Sequence, residues 1–261
     1  MKVFLIRGDR GIYNFMYDLF LFSLEDLGYY NSDINRSDII ISLCPYPKSI
    51  KKEIGKKYVY LQVQQRDSDI DQNQREISNK IIDNDCKFPD IVWGFDINAK
   101  SEKYFCLGYH PKLDRSHLLS MEDKDVSFLG SKSERRINFL EKLYVPVNFI
   151  NKKEFDVDKK SKWCRDSKIN LDFKALSVND FTCWDRISLL IHNRCFIICE
   201  KCYCPLEGIS MFDKNDSNGC NELIKYYIGN KKERECKSQF LYEEYKKNFD
   251  MRVILQERLK I

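Results

Sequence analysis

The chain has 261 residues, and 43 % of them are hydrophobic, a composition that supports a folded core and argues against disorder. Its 44 Lys and Arg residues against 40 Asp and Glu give a net charge of +4, too small to indicate a nucleic-acid partner by itself. No apolar run reaches the ~20 residues of a membrane-spanning helix, and the apolar start is too short for a signal peptide, so we expect a cytoplasmic protein.

The first half of the chain alternates predicted strands with predicted helices. Residues 2–6 predict a buried strand, residues 8–11 a glycine turn, and residues 12–27 an amphipathic helix that ends at Gly28. This order is typical of a βαβ unit, so we expect a parallel α/β sheet. The remaining predicted elements are strands at 38–43, 58–63, 91–95 and 104–107, and helices at 48–56 and 75–82.

The same alternation restarts after a polar linker at residues 108–124. Strands are predicted at 125–129, 147–150, 168–173 and 195–200, and helices at 134–143, 184–192, 221–228, 231–248 and 251–259. We therefore predict two Rossmann-like α/β domains, one at 1–112 and one at 113–249. A closing helix at 250–261 is expected to cross back to the first domain.

Eleven cysteines occur in a chain without an export signal, so we expect reduced thiols. Cys195, Cys199, Cys202 and Cys204 suggest zinc, but their spacing is not that of paired zinc knuckles. Two of the four fall in a predicted strand, whose faces alternate, so the thiols do not converge on a tetrahedron. The pattern favours small buried hydrophobic side chains and no metal site.

The turn after the first strand is a candidate binding site, because ligands of open parallel sheets lie beyond the carboxyl ends of the strands. Gly8, Asp9, Arg10 and Gly11 would let a ligand approach the backbone, and the next helix would present N–H groups to an anion. The spacing is GxxG, not GxGxxG, which disfavours an NAD site and leaves a plain strand-to-helix turn as an alternative.

A second candidate turn, Gly130-Ser131, has Arg135 and Arg136 in the helix behind it. A small-residue turn, a helix N-terminus and two cations suit a diphosphate group. A capped helix, with Ser131 or Ser133 as N-cap, explains the same residues without a ligand.

Glu200 ends the most apolar predicted strand, where a carboxylate can accept two hydrogen bonds from a ribose diol. Glu207 and Gly208 follow it and belong to the same candidate site. Arg186, at the start of the preceding helix, is a candidate phosphate partner, and His110 lies in the linker where the halves would meet. A solvent-facing strand end for Glu200 and a surface cation for Arg186 stay open.

Several segments of the second half resemble GT-B glycosyltransferases. Residues 125–131, followed by Arg135 or Arg136, are similar to the start of the donor-binding half of that family. Residues 186–200 are similar to its apolar helix and the buried strand that ends in Glu, and residues 221–228 to its closing helices. The most similar branch is the group-1-like, spore-maturation (CgeB-like) one. The first half resembles the family only by its pattern of elements.

The resemblance implies transfer of a sugar from a nucleotide-sugar donor to a hydroxyl of a glycan or another acceptor, without an obligatory metal or other cofactor. It implies two domains that face a cleft, with Glu200 at the donor ribose. The donor diphosphate would meet Gly130, Ser131 and Arg135 or Arg136. Asp9 is the candidate catalytic base. The acceptor-side candidates are Gly8, Arg10, Gly11 and His110.

Two departures from the family keep a second function open. Glu200 and Glu207 are seven residues apart, not the eight of the acidic pair in retaining relatives, and the chain has only 10 glycines. A non-catalytic GT-B-like module that binds a nucleotide or a sugar without turnover is therefore the alternative.

Overall fold

The computed structural model describes residues 1–7, 14–47, 49–62, 84–95, 103–131, 133–151, 156–174 and 182–260. The chain divides into two compact units: unit 1 is Met1–Leu107 with Met251–Ile261, and unit 2 is Gly108–Asp250. Unit 2 begins at Gly108, not after residue 112, because the next residues bind within it. The N–H of Tyr109 donates to the Phe249 carbonyl (2.6 Å), and the N–H of His110 donates to Nε2 of His192 (3.0 Å).

Unit 1 contains a parallel sheet of five described strands in the order β1-β2-β3-β4-β5. Tyr30 forms a parallel bridge to Val3 of the first strand. The Ile-Ile-Ile-Ser sequence of β2 is buried at all four positions, which explains why it lacks polar alternation. The strands are β1 (Val3–Ile6), β2 (Ile39–Ser42), β3 (Lys57–Gln62), β4 (Ile91–Gly94) and β5 (Lys103–Tyr104).

Two of the helices that the structure describes belong to unit 1. Helix α1 (Asn14–Asp26) precedes Gly28, whose φ of 67° is the left-handed conformation that ends many helices. The C-terminal helix α7 (Met251–Arg258) also belongs to unit 1, where Met251 and Leu255 are buried. Arg252 Nη1 lies 3.6 Å from Asp26 Oδ2 of α1. The predicted return of the last helix to the first half is confirmed.

Unit 2 contains a second parallel sheet of five described strands, in the order β10-β9-β8-β6-β7. Counted within the unit this order is 2-1-3-4-5, so the winding direction reverses between β6 and β8. Ligands of open α/β sheets bind beyond the carboxyl ends of the strands at such a reversal. The strands are β6 (Lys124–Gly130), β7 (Val147–Asn151), β8 (Ser167–Asp172), β9 (Ile197–Glu200) and β10 (Ser210–Phe212).

The helices of unit 2 cover a core in which strand residues such as Val126, Phe128 and Leu171 pack against Phe139 and Ile224 of the helices. These helices are α2 (Glu134–Leu140), α3 (Val157–Arg165), α4 (Trp184–His192), α5 (Ser217–Gly229) and α6 (Lys231–Asn248). In the part of the chain that the structure describes, no helix is long and apolar enough to cross a membrane.

One sequence prediction of local structure is wrong, and two described elements of unit 2 were not predicted. The helix at 48–56 is absent from the described residues 49–56, where backbone groups bind a side chain instead: the Tyr58 hydroxyl donates to the Lys51 carbonyl (3.0 Å) and accepts from the Glu53 N–H (3.1 Å). Helix α3 was not predicted because most of its residues are polar, and β10 because it has only three residues. The helix predicted at 75–82 lies outside the described residues.

Candidate active site

Three neighbouring strands of unit 2 end in residues that lie at one edge of the sheet. They are β6, which ends at Gly130, β8, which ends at Asp172, and β9, which ends at Glu200. The register pairs Phe128 with Leu171 and Asp172 with Cys199, so the three carboxyl ends are adjacent. The reversal of strand order lies between β6 and β8, which makes this edge the expected ligand site of the unit.

The Glu200 carboxylate is buried, with 1 % of its side chain exposed, and it accepts four hydrogen bonds. Arg135 of α2 donates two of them, from Nη1 to Oε2 (3.1 Å) and from Nη2 to Oε1. The backbone N–H groups of Lys174 and Asn215 donate the others, each at 3.1 Å. Burying a carboxylate is costly without hydrogen-bond partners, and these four bonds hold Glu200 in a fixed orientation as an acceptor.

Arg135 directs all five of its N–H groups at acceptors of the protein. Besides the two bonds to Glu200, Nη1 donates to the Lys174 carbonyl (2.6 Å). Nε and Nη2 donate to Oδ1 of Asn215 at 3.1 and 2.8 Å. Asn215 has a φ of 61°, a left-handed conformation that asparagine tolerates, and from it Asn215 contacts both members of the pair. Arg135 is 17 % exposed and is the member of the pair nearer to solvent.

Arg136 is buried and closes the turn after β6. Its Nη1 donates to both the carbonyl and the hydroxyl of Ser131 at 3.0 Å, and its Nη2 donates to the Phe173 carbonyl at 3.1 Å. Its buried Nε has no partner among the described residues. Burial, followed by the positive charge of Arg186, lowers the pKa of Arg136 to about 10. An anion at this turn would relieve both the repulsion and the missing hydrogen bond.

Gly130 is required by the packing of the turn. An added Cβ would lie 2.6 Å from Cζ of Phe128, which is closer than carbon atoms approach in proteins. The Phe128 ring in turn supports two guanidinium groups, with Arg136 Cζ at 5.1 Å and Arg186 Cζ at 4.9 Å from the ring centre. The glycine therefore lets the aromatic ring and the arginines pack beneath the turn.

Arg186 lies deeper than the sequence interpretation placed it. It is not a surface cation: its side chain is 1 % exposed and donates from Nη1 to Oδ1 of the buried Asp172. Lys174 Nζ lies 3.2 Å from the other carboxylate oxygen. Burial raises the pKa of Asp172, but the charges of Lys174 and Arg186 outweigh it and hold that pKa well below its usual range. Contact between Arg186 and a phosphate stays a prediction.

Two thiols flank Glu200. Cys199 is buried on β9, with Sγ 3.3 Å from Oδ2 of Asp172, and Cys202 is partly exposed beyond the strand. The hydrogen bond from Cys199, together with the charge of Lys174, outweighs burial and lowers the pKa of the Cys202 thiol to about 7. Among the described residues no group of three or more His, Cys, Asp or Glu side chains is arranged to hold a metal ion.

Two predicted donor residues do not join this group. Glu207 is exposed, and Gly208 packs against α6, where an added Cβ would lie 2.8 Å from Phe240. Both come just before β10, which is parallel to β9 with Phe212 opposite Glu200. They therefore lie towards the amino-terminal edge of the sheet, whereas Glu200 lies at the carboxyl-terminal edge. Sequence spacing alone does not show that the chain returns across the sheet between them.

The acceptor-side candidates are described only in part. His110 belongs to unit 2 and is fully buried, and its Nδ1 accepts from the Lys112 N–H (3.2 Å) at the start of a short 3-10 helix, Pro111–Leu113. Its ring thus has a structural role in this conformation, and a role at the acceptor stays a prediction. Gly8, Asp9, Arg10 and Gly11 lie outside the described residues.

Asp172, Lys174 and Asn215 belong to the site but were not singled out from the sequence. Asp172 had a usable signal, since it is a carboxylate at the carboxyl end of a strand. Lys174 had none, because a lysine after a strand is ordinarily solvent-exposed. Asn215 lies in a loop fifteen residues after Glu200, and only the folded loop brings its N–H to the carboxylate.

No family model matches the chain, and no curated protein sequence matches it. Solved structures do match. An alpha-glucosyltransferase in complex with UDP and DNA has 10 % identity and a TM-score of 0.65, over 99 % of this chain and 97 % of that one. An alpha1,3-fucosyltransferase with GDP has 15 % identity and a TM-score of 0.56, over 100 % and 89 %.

A third match is WaaG, a glycosyltransferase involved in lipopolysaccharide biosynthesis, with 8 % identity and a TM-score of 0.56 over 99 % of this chain and 98 % of that one. At these identities the likeness concerns architecture, and membership of the spore-maturation branch stays a prediction. The described residues of this chain form two parallel α/β units, and its last helix belongs to the first unit. The chain therefore has the GT-B fold of glycosyltransferases.

Proposed function

We propose that the protein is a glycosyltransferase that moves a sugar from a nucleotide-sugar donor to a hydroxyl of a glycan or another acceptor. The single observation that carries the proposal is the group formed by Gly130, Ser131, Arg135, Arg136 and Glu200 at the switch point of unit 2. It offers one buried carboxylate beside two guanidinium groups, which suits a ribose joined to a diphosphate. The GT-B fold and the UDP and GDP named for its structural neighbours support the same class of donor.

Donor binding would exchange partners at Glu200. The carboxylate is held by the N–H groups of Lys174 and Asn215 whether or not Arg135 is present, so its oxygens keep their orientation. When the diphosphate draws Arg135 away, Glu200 gains the capacity to accept from the two ribose hydroxyls. The partly exposed position of Arg135 allows this movement.

The diphosphate would lie beside the turn at Gly130 and Ser131. Arg136 is held in place by Ser131 and Phe173, and Arg135 would reach the diphosphate when the donor binds. Both would then stabilise the negative charge that builds up on the leaving diphosphate, with little reorganisation as the sugar departs. Because two arginines neutralise this charge, we propose that the reaction needs no metal ion and no cofactor beyond the donor itself.

We propose Asp9 as the base, which would take the proton from the attacking hydroxyl of the acceptor. It follows the carboxyl end of β1, the edge at which ligands of an open parallel sheet bind. Gly8, Arg10 and Gly11 in the same turn are proposed to contact the acceptor.

One observation favours the alternative function, a module that binds a nucleotide or a sugar without turnover. Arg135 and Glu200 form a two-bond ion pair whose other hydrogen bonds come from Lys174 and Asn215, as in a structural ion pair, and breaking such a pair has a cost that only a tightly bound ligand would offset. In that case the pair stabilises unit 2, and any ligand binds beside it.

Turnover separates the two functions. The protein is incubated with UDP-, GDP-, CMP- and dTDP-sugars, and release of the free nucleotide is followed with and without simple sugar acceptors. We expect release from one nucleotide family. Asp9→Asn should abolish release while donor affinity stays within about twofold, because the base acts only on the acceptor.

Glu222→Gln is the matched control, since it neutralises an exposed carboxylate of α5 in the same unit. It should behave as the wild type. Nucleotide binding without release from any donor or acceptor would support the module instead. A protein that showed no nucleotide binding and no nucleotide release would contradict both functions.

A further inference from the structure

Unit 2 has a cavity at the edge of its sheet opposite the candidate donor site. This amino-edge cavity has a volume of about 360 Å³ and is lined by parts of residues 116–122, by Arg165, Ser167 and Lys168, by residues 193–196 and by Arg234, Glu235 and Ser238. Ser167 begins β8, whereas Asp172 ends it, so five residue steps of ~3.3 Å place the two sites roughly 17 Å apart. Its volume lies in the range of small-molecule pockets, about 300–1,000 Å³.

The lining is rich in positive charge. Four basic residues, Arg165, Lys168, Arg194 and Arg234, face two acidic ones, Glu122 and Glu235. Four of these six charges have partners of opposite charge: Arg234 pairs with Glu122 (3.1 Å), Lys168 with Asp125 (2.6 Å) and Glu235 with Lys231 (3.8 Å).

Two guanidinium groups are left without a carboxylate partner in the part of the chain that the structure describes. Arg165 donates from Nη1 to the neutral amide of Asn193 (2.7 Å), and its buried Nε has no partner among the described residues. Arg194 is exposed and lies over the ring of Tyr242, 6.0 Å from its centre. Buried donors without acceptors are rare in folded proteins and often mark the place of a bound ion or water.

The backbone of the cavity is also strained at two places. Glu122 and Arg194 have φ values of 45° and 53°, and they are two of the three non-glycine residues with positive φ that the structure describes. Side chains other than glycine and asparagine rarely adopt this conformation, and such residues cluster where a ligand is held. Both residues line the cavity.

We propose that the amino-edge cavity binds a phosphate group, carried by a small phosphate monoester or present as free phosphate, through the guanidinium groups of Arg165 and Arg194. Arginine presents paired N–H donors that match phosphate oxygens. The cavity volume of about 360 Å³ suits a small ligand, and the carboxylates of Glu122 and Glu235 disfavour a long polyanion such as a nucleic acid.

Calorimetric titration of the whole protein tests the proposal, with inorganic phosphate and glycerol 3-phosphate as the two probes. We expect at least one to bind with a dissociation constant on the order of 0.1–1 mM. Arg194→Gln and Arg165→Gln should each weaken that binding about tenfold or more. Lys232→Gln, which removes one positive charge from α6 outside the cavity, should leave it unchanged. Tighter binding of glycerol 3-phosphate would identify a monoester as the ligand, and tighter binding of inorganic phosphate would identify the free ion.

Equal affinity in the wild type, Arg194→Gln and Arg165→Gln would overturn the proposal, and so would the absence of binding by both probes. Protection of Arg194 from phenylglyoxal by the bound probe, read by mass spectrometry, checks the location without a variant. UDP and GDP are titrated into the same Arg194→Gln protein. Their binding tests the donor site separately, so a failure there leaves this result standing.

Discussion

Arg135 and Glu200, 65 residues apart in the chain, form a two-bond ion pair at the carboxyl edge of the unit 2 sheet. The pair occupies the oxygens that a donor ribose would use and the guanidinium that a diphosphate would use. Under the proposed function, a donor would therefore have to compete with the protein for both partners.

Arg135→Gln should destabilise the protein by about 3 kcal/mol, because it leaves the buried Glu200 carboxylate without its charged partner. Glu200→Gln together with Arg135→Gln should cost less than the sum of the single changes, since no buried charge is then unpaired. Urea unfolding of the four proteins gives the coupling free energy. Arg36→Gln is the control, because the Arg36 side chain is 84 % exposed and pairs with Asp33 at the surface. If the free-energy changes of the two single variants sum to that of the double variant, the pair has no coupling free energy and the prediction is contradicted.

Gly130→Ala should cost about 1–3 kcal/mol of unfolding free energy, because the new methyl group would lie 2.6 Å from Phe128 Cζ and the ring must move. Gly229→Ala at the end of α5 is the matched control. Its Cβ meets nothing within 4 Å, so it should be neutral or stabilise by up to ~1 kcal/mol. Thermal unfolding separates the two variants, and similar melting temperatures would contradict the packing at Phe128.

Cys202 should react with iodoacetamide at neutral pH, because its pKa is lowered to about 7 from an ordinary value of 9. The thiolate is the reactive form, so the rate should rise with pH and reach half its maximum near pH 7. Mass spectrometry of the alkylated peptide gives the profile. Cys199→Ala removes the hydrogen bond to the thiolate and should move the midpoint to higher pH. An unchanged midpoint in that variant would exclude Cys199 as the cause.

His192 should make the stability of unit 2 depend on pH. Burial lowers its pKa to about 4 from an ordinary 6.5, so the unfolded chain binds a proton that the folded one does not between these values. The contribution of His192 to the free energy of unfolding is fully present above pH 6.5 and should fall by about 3 kcal/mol as the pH drops to 4. Urea unfolding of His192→Gln should show a smaller loss over this window, with His117→Gln, at an exposed imidazole, as control. The same loss in His192→Gln would refute this assignment.

The spacing of apolar residues in the sequence was sufficient to predict much of the fold. Helices α4 and α6 have the predicted bounds. The apolar residues of α4 recur at helical spacing, and β2 and β9 stand out as short apolar runs. It was not sufficient where local and tertiary preferences differ. Residues 49–56 look like a polar helix, yet Tyr58 binds their backbone, and no local pattern contains that hydrogen bond.

The site was predictable only at strand ends. Gly130 and Glu200 end strands, and the topological rule places both at one edge. The link between Glu200, Arg135 and Asn215 joins three distant segments, so it needs the register of the whole sheet. The burial of Arg186 was missed because hydropathy assigns arginine to the surface, and its partner Asp172 lies fourteen residues away.

The central claim is that Glu200 binds the ribose of a nucleotide donor, and ribose discrimination tests it most directly. UDP and GDP are titrated against their 2′,3′-dideoxy forms into the wild type and Glu200→Gln. We expect the wild type to bind one ribonucleotide about tenfold or more tighter than its dideoxy form, and Glu200→Gln to lose most of that preference. Equal binding of both forms by the wild type, or an undiminished preference in Glu200→Gln, would contradict the account.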